Sequence, residues 1–73
     1  MTPRPPTIKN RVRDLRAKAE LTQEALAAKV GVTRVTINCL ENGVYLPSIE
    51  LALRLARFFR KPVEEIFELE ESR

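Results

Sequence analysis

Apolar residues recur along this chain at helical spacing, and capping or turn residues interrupt them at short intervals. Ile8, Val12, Leu15 and Ala19 stand at i, i+4, i+7 and i+11 and predict a first helix over Ile8–Ala19, with Thr7 as its N-cap. Leu21 plugs the turn that follows. Thr22 then caps a second helix, Gln23–Val30, whose Leu26, Ala27 and Val30 face inward, and Gly31 ends it where positive φ costs little. Thr33 caps a third helix, from Arg34 to about Asn42, which stops at Gly43. A loop, Gly43–Pro47, leads to Ser48, an N-cap with Glu50 in the first turn of a fourth helix over Ile49–Phe59. Leu51, Ala52, Leu55, Ala56, Phe58 and Phe59 cluster on that helix with Ile49 and Leu53 on the flank, an apolar arc wider than one core requires. Pro62 suits the first turn of a last short helix, Val63 to about Phe67. The prediction is an all-α domain of five short helices over residues 8–67. A proline-rich arm (residues 1–7) precedes it, and a short acidic tail (68–73) that frays or adds an extended segment through Leu69 follows it.

The middle of this pattern is the most specific. Ala27 lies four residues before Gly31, Ile37 six after it, and Leu40 three further on. A tight helix–turn–helix needs a small residue facing the partner helix, a turn that accepts positive φ, and two apolar anchors at i and i+3 on the second helix. A second helix clipped on so closely cannot bury its far side. In this arrangement the far side is usually offered to the major groove of DNA.

Composition narrows the alternatives. A chain of 73 residues has room for one domain and one small core. No window approaches 18 consecutive apolar residues, which excludes a transmembrane helix, and the N-terminus lacks the apolar stretch of a signal peptide, so a cytoplasmic location is expected. With no His and one Cys there is neither a zinc cage nor a Ser-His or Cys-His pair; no metal, cofactor or catalytic residue is expected and the enzyme reading is poor. The net charge of +3 is unevenly spread: residues 1–63 hold twelve Lys/Arg against five Asp/Glu, whereas residues 64–73 hold five Glu against one Arg. A basic body with an acidic end suits a nucleic-acid binder whose terminus points away from phosphates, and ordinary solvating charge reads equally well.

With Ile37 and Leu40 inward, the third helix presents Val35, Asn38, Cys39 and Asn42, flanked by Arg34 and Thr36. Arg34 stands near the helix N-terminus, where its fork can bond guanine O6 and N7; Asn38 can do the same for adenine, and Val35 suits a thymine methyl. Cys39 either packs against a base edge or is a tolerated small residue without a role. Phosphate contacts are expected from the second helix N-terminus and Gln23, then from Thr33, Thr36, Asn42 and the N–H groups of the Gly43–Tyr45 loop, with Lys29 at longer range; the arm reads first as an unstructured start, and Arg4 in it could otherwise brush the phosphate backbone.

These residues resemble the Cro/CI-type (Xre family) helix-turn-helix regulators. The matching motifs are L-T-Q, A-x-x-x-G-V-T, I-x-x-L-E-N-G and P-S, within a resemblance covering about residues 8–67, nearest to small stand-alone members. The resemblance implies a five-helix DNA-binding domain and a sequence-specific transcriptional regulator of double-stranded DNA, commonly dimeric on a two-fold operator. The family pattern also implies an ion pair between Arg16 and Glu41. Val44 stands where many members have Lys, Leu46 where a polar residue is frequent, and Cys39 is unusual on the reading face.

Surplus apolar residues, Leu46, Leu53, Phe58, Phe67 and Leu69, are candidates for the contact of a homodimer; otherwise they cap a thin core. The rival class is a module that binds a protein partner. A neutral or acidic reading face would favour it, and Arg34 with the basic body argues the other way.

Overall fold

Side-chain oxygens start three of the helices. In the computed structural model, which describes residues 7–70, Thr22 accepts the N–H of Ala25 at 3.0 Å, Thr33 that of Thr36 at 3.2 Å, and Ser48 that of Leu51 at 3.0 Å. These caps satisfy N–H groups that have no partner inside the helix. The elements run β1 (Thr7–Asn10), α1 (Val12–Lys18), α2 (Gln23–Val30), α3 (Arg34–Glu41), α4 (Ile49–Phe59), α5 (Val63–Ile66) and β2 (Phe67–Glu70). The fold is the expected five helices, with one small addition: β1 and β2 pair antiparallel, Ile8 opposite Leu69 and Asn10 opposite Phe67.

That addition overturns the expected start of the first helix. Thr7 lies in a strand rather than at a cap, and the helix begins at Val12, four residues after the expected start at Ile8. Asn10 explains the switch. Its Oδ1 accepts the N–H of Val12 at 3.1 Å while its Nδ2 donates to the carbonyl of Leu40 at 2.9 Å, so one side chain opens α1 and ties it to α3. The N–H of Arg11 donates to the carbonyl of Ile66 at 2.9 Å, which brings the two ends of the fold together. Phe67 takes extended backbone, φ −122° and ψ 139°, instead of ending the last helix. Ala19 is exposed rather than inward, because α1 stops at Lys18 and Glu20 reverses the chain with φ 58°. The arm contact of Arg4 lies outside the described residues, as do residues 71–73 of the acidic tail.

Val12, Leu26, Ala27, Val30, Ile37, Leu40, Leu51, Leu55 and Ile66 form the core, so every helix contributes at least one buried residue. α2 packs on α3 and α4, and Ala27, nearly fully buried, keeps the α2–α3 approach close. No described helix is long and apolar enough to cross a membrane.

Gly31 makes the turn between α2 and α3 with φ 79°, and the guanidinium of Arg54 donates to the carbonyl of Val30 at 3.3 Å across the helix end. A Cβ at Gly31 would stand 2.6 Å from Arg54 Nη1. The arginine can swing away, but the left-handed backbone cannot relax. Gly31→Ala is expected to lower the unfolding free energy by about 1–2 kcal/mol, mostly through the backbone; a denaturant midpoint equal to wild type would show that the turn tolerates a side chain.

Candidate nucleic-acid interface

The anchors expected for α3 are in place: Ile37 and Leu40 are fully buried against the core. The opposite side is open. Val35 is 58% exposed, Arg34 is exposed, and Asn42 is exposed beyond the last turn, whereas Thr36, Asn38 and Cys39 are half-buried. Among the described residues Arg34 pairs with no carboxylate, which leaves its fork available. Val35 is an apolar side chain that its own protein leaves more than half exposed.

Glu41, the last residue of α3, is fully withdrawn from solvent in its side chain and anchors the helix to α1. Arg16 grips it with Nε to Oε2 at 2.6 Å and Nη2 to Oε1 at 3.2 Å, and Nη1 of the same guanidinium donates to the carbonyl of Leu21 at 2.8 Å. The pairing implied by the resemblance is therefore present, and it also fixes the turn before α2. Burial alone would push the Glu41 carboxyl up. Hydrogen bonds from Arg16 and Gln23, the charge of Arg16 and a hydrogen bond from Arg13 outweigh it and hold the group below its ordinary value. The hydrogen bond to Glu41 likewise raises Arg16 above its already high value, so the pair stays ionised.

The expected amide contacts turn out to be joined to that carboxylate. Gln23 Nε2 donates to Glu41 Oε1 at 3.0 Å, and Asn38 Nδ2 donates to Gln23 Oε1 at 3.4 Å. Asn42 Nδ2 donates to Asn38 Oδ1 at 3.2 Å, and Arg13 Nη2 donates to Asn42 Oδ1 at 2.9 Å. Arg13 Nε lies 3.5 Å from Glu41 Oε1, which closes the ring. Neither Arg13 nor Asn10 stands out in the sequence; the only signal for Arg13 is its place one turn before Arg16.

The loop requires one correction. The N–H of Gly43 donates to the carbonyl of Leu40, and that of Val44 to the carbonyl of Cys39, both at 3.1 Å, because these groups finish α3. Gly43 is thus a turn residue, φ 77°, whose N–H is already engaged. Among the described residues no hydrogen bond takes the N–H of Tyr45, nor those of Gln23 and Glu24 at the start of α2. The hydroxyls of Thr33 and Thr36 lie 3.0 Å apart at the start of α3.

The apolar surplus divides. Phe58 and Phe67 pack against the core, Phe58 with its ring edge-on to Phe59 at 5.1 Å. Leu46, Leu53 and Leu69 are more than half exposed, and Val44 and Ile49 are more exposed still. A groove of about 230 Å³ brings Leu46 and Phe67 together with Ile8, Val44 and Tyr45.

Comparison with known proteins agrees with the fold. A helix-turn-helix family model matches residues 12–66. An HTH-type transcriptional regulator of Archaeoglobus fulgidus is 47% identical over 64 residues, covering 88% of this chain and 90% of that protein. The cryptic phage CTXphi transcriptional repressor RstR of Vibrio cholerae is 35% identical over 57 residues, 78% of this chain and 51% of that protein. Among solved structures, the restriction-modification controller protein C.AhdI of Aeromonas hydrophila superposes with a TM-score of 0.70 at 33% identity, covering 75% of this chain and 83% of that one.

Proposed function

The chain belongs to the helix-turn-helix family of transcriptional regulators, DNA-binding proteins rather than enzymes, and from that premise we propose that it is a repressor which binds a two-fold operator in double-stranded DNA as a homodimer. One observation carries the reading: α3 buries Ile37 and Leu40 and leaves Arg34 and Val35 exposed on the opposite side. Arg34 would bond guanine, Asn38 adenine, and Val35 a thymine methyl, with Cys39 beside them against a base edge. Gln23 and the free N–H groups at the start of α2, with Thr33, Thr36, Asn42 and the N–H of Tyr45, would hold phosphates on either side.

Two further choices rest on different support. Repression follows the repressor named among the relatives. The homodimer is supported by Leu46, Leu53 and Leu69, apolar and exposed, and by the small number of phosphates that one such domain reaches. Two copies on a palindrome would place recognition helices about 34 Å apart. A partner so defined puts the protein in the cytoplasm.

Titrating DNA fragments across a salt series tests the reading. Binding is expected, with log affinity falling against log salt by about 0.9 per phosphate contacted, and selection from a random pool is expected to return a palindrome. Light scattering should find two chains per duplex. Binding that is absent or indifferent to salt would favour a protein partner instead.

A further inference from the structure

We infer that Arg13 is a positioning residue for base recognition: through Asn42 it sets which way the amide of Asn38 faces. The inference rests on the DNA reading above and adds to it a residue that makes no base contact itself. Charge fixes the two ends of the hydrogen-bonded chain. Ionised Glu41 can only accept, so Gln23 must turn its NH₂ toward it and its oxygen toward Asn38. The guanidinium of Arg13 can only donate, so Asn42 must turn its oxygen toward it and its NH₂ toward Asn38. Asn38 sits between them with its oxygen toward Asn42 and its NH₂ toward Gln23, and the two constraints agree.

An amide has two N–H donors and two lone pairs. After its bonds within the chain, Asn38 keeps one of each for a base, in a fixed order along the groove. Adenine offers an acceptor, N7, beside a donor, N6; a flipped amide would meet that pair in reverse. The longest link, 3.4 Å, falls between Asn38 and Gln23, whereas the links from Arg13 through Asn42 are 2.9 and 3.2 Å. The hold of Glu41 thus reaches Asn38 across the longest link, and Arg13 reaches it through the shorter ones. As an ion pair, Arg13 contributes little, because its side chain is 59% exposed. Its consequence is directional.

Arg13→Met keeps the aliphatic stem and removes the donor. Its affinity is measured for the duplex selected by the wild-type protein and for each single-base variant of that duplex, across a salt series, alongside the melting temperature and the side-chain NH₂ resonances of Asn38 and Asn42 in the free protein. Discrimination at the base under Asn38 is expected to fall about fivefold or more, with the salt slope and melting temperature unchanged and both NH₂ signals displaced. A uniform loss on every duplex with a slope smaller by about one would make Arg13 a phosphate contact and overturn the inference. Unmoved NH₂ signals, or unchanged discrimination, would overturn it equally. A wild-type protein that ranks no duplex above another defeats the DNA reading itself; one that ranks them, beside an Arg13→Met variant that ranks them identically, defeats this inference alone.

Discussion

Replacing Glu41 with alanine is expected to lower the unfolding free energy by about 3–5 kcal/mol, a large share of the 5–15 kcal/mol typical of a whole domain. The cause is the company that Glu41 leaves behind. Arg16 has only 18% of its side chain exposed, so its charge would remain in a site with no anion, and the amide of Gln23 would lose its acceptor. The same change removes the ion-paired tie between α1 and α3, leaving, among the described residues, only the hydrogen bonds of Asn10 to Leu40 and of Arg13 to Asn42 between the start of α1 and the end of α3. For a domain of this size the melting temperature should fall by at least about 12 °C. An unchanged value would mean that Arg16 finds water without cost and that the pair is decorative.

The pH dependence of that pair has a definite sign. The folded carboxyl sits below its ordinary value, near 4.3 for an unperturbed glutamate, so the unfolded chain takes up the proton first. The stabilisation is therefore fully present above about pH 5 and is lost as pH falls through the unfolded value toward the lower folded one. Glu41→Gln keeps the shape and an acceptor but cannot titrate. The gap in stability between wild type and this variant should be constant above about pH 5 and narrow below it; a gap that widens in acid would mean that burial, not Arg16, dominates the carboxyl.

The parts of the fold legible in the sequence are those whose signals are local. Thr22, Thr33 and Ser48 each lie one residue before an apolar period, and α2 and α4 have the bounds that those caps predict. An extended segment through Leu69 is one of the two outcomes expected for the tail, and β2 is that segment; β1 and its pairing with β2 were not legible, because each strand is four residues long and its partner lies at the other end of the chain. Ile8 fits the helical stripe of Val12 and Leu15 as well as it fits a strand, and only the pairing with Leu69 decides. Asn10 looks like an ordinary polar residue until the carbonyl of Leu40 is placed beside it. The site shows the same division. Residue type and helix face single out Arg34, Val35 and Asn38, but the order of donors and acceptors from Arg13 to Glu41 depends on three helices meeting, and no spacing along the chain encodes it.

Two apolar residues of α3, Val35 and Ile37, give opposite predictions although only Thr36 separates them. Ile37 is fully buried against the core formed with α2 and α4. Ile37→Ala would leave a cavity that close-packed neighbours fill only in part, at a cost of about 2–5 kcal/mol, and any loss of DNA affinity should track the unfolded fraction. Val35, 58% exposed, lies outside the core and has far less packing to lose. Val35→Ala is expected to leave stability within about 0.5 kcal/mol of wild type. Yet it withdraws apolar surface from the reading face, and affinity for the selected duplex should drop by about fourfold for each methylene removed from contact. Chemical denaturation and duplex titration of both variants separate the two effects. Should Val35→Ala bind its duplex as tightly as wild type, the open side of α3 is not where the bases are read; should Ile37→Ala fold as stably as wild type, α3 is not anchored where the packing places it.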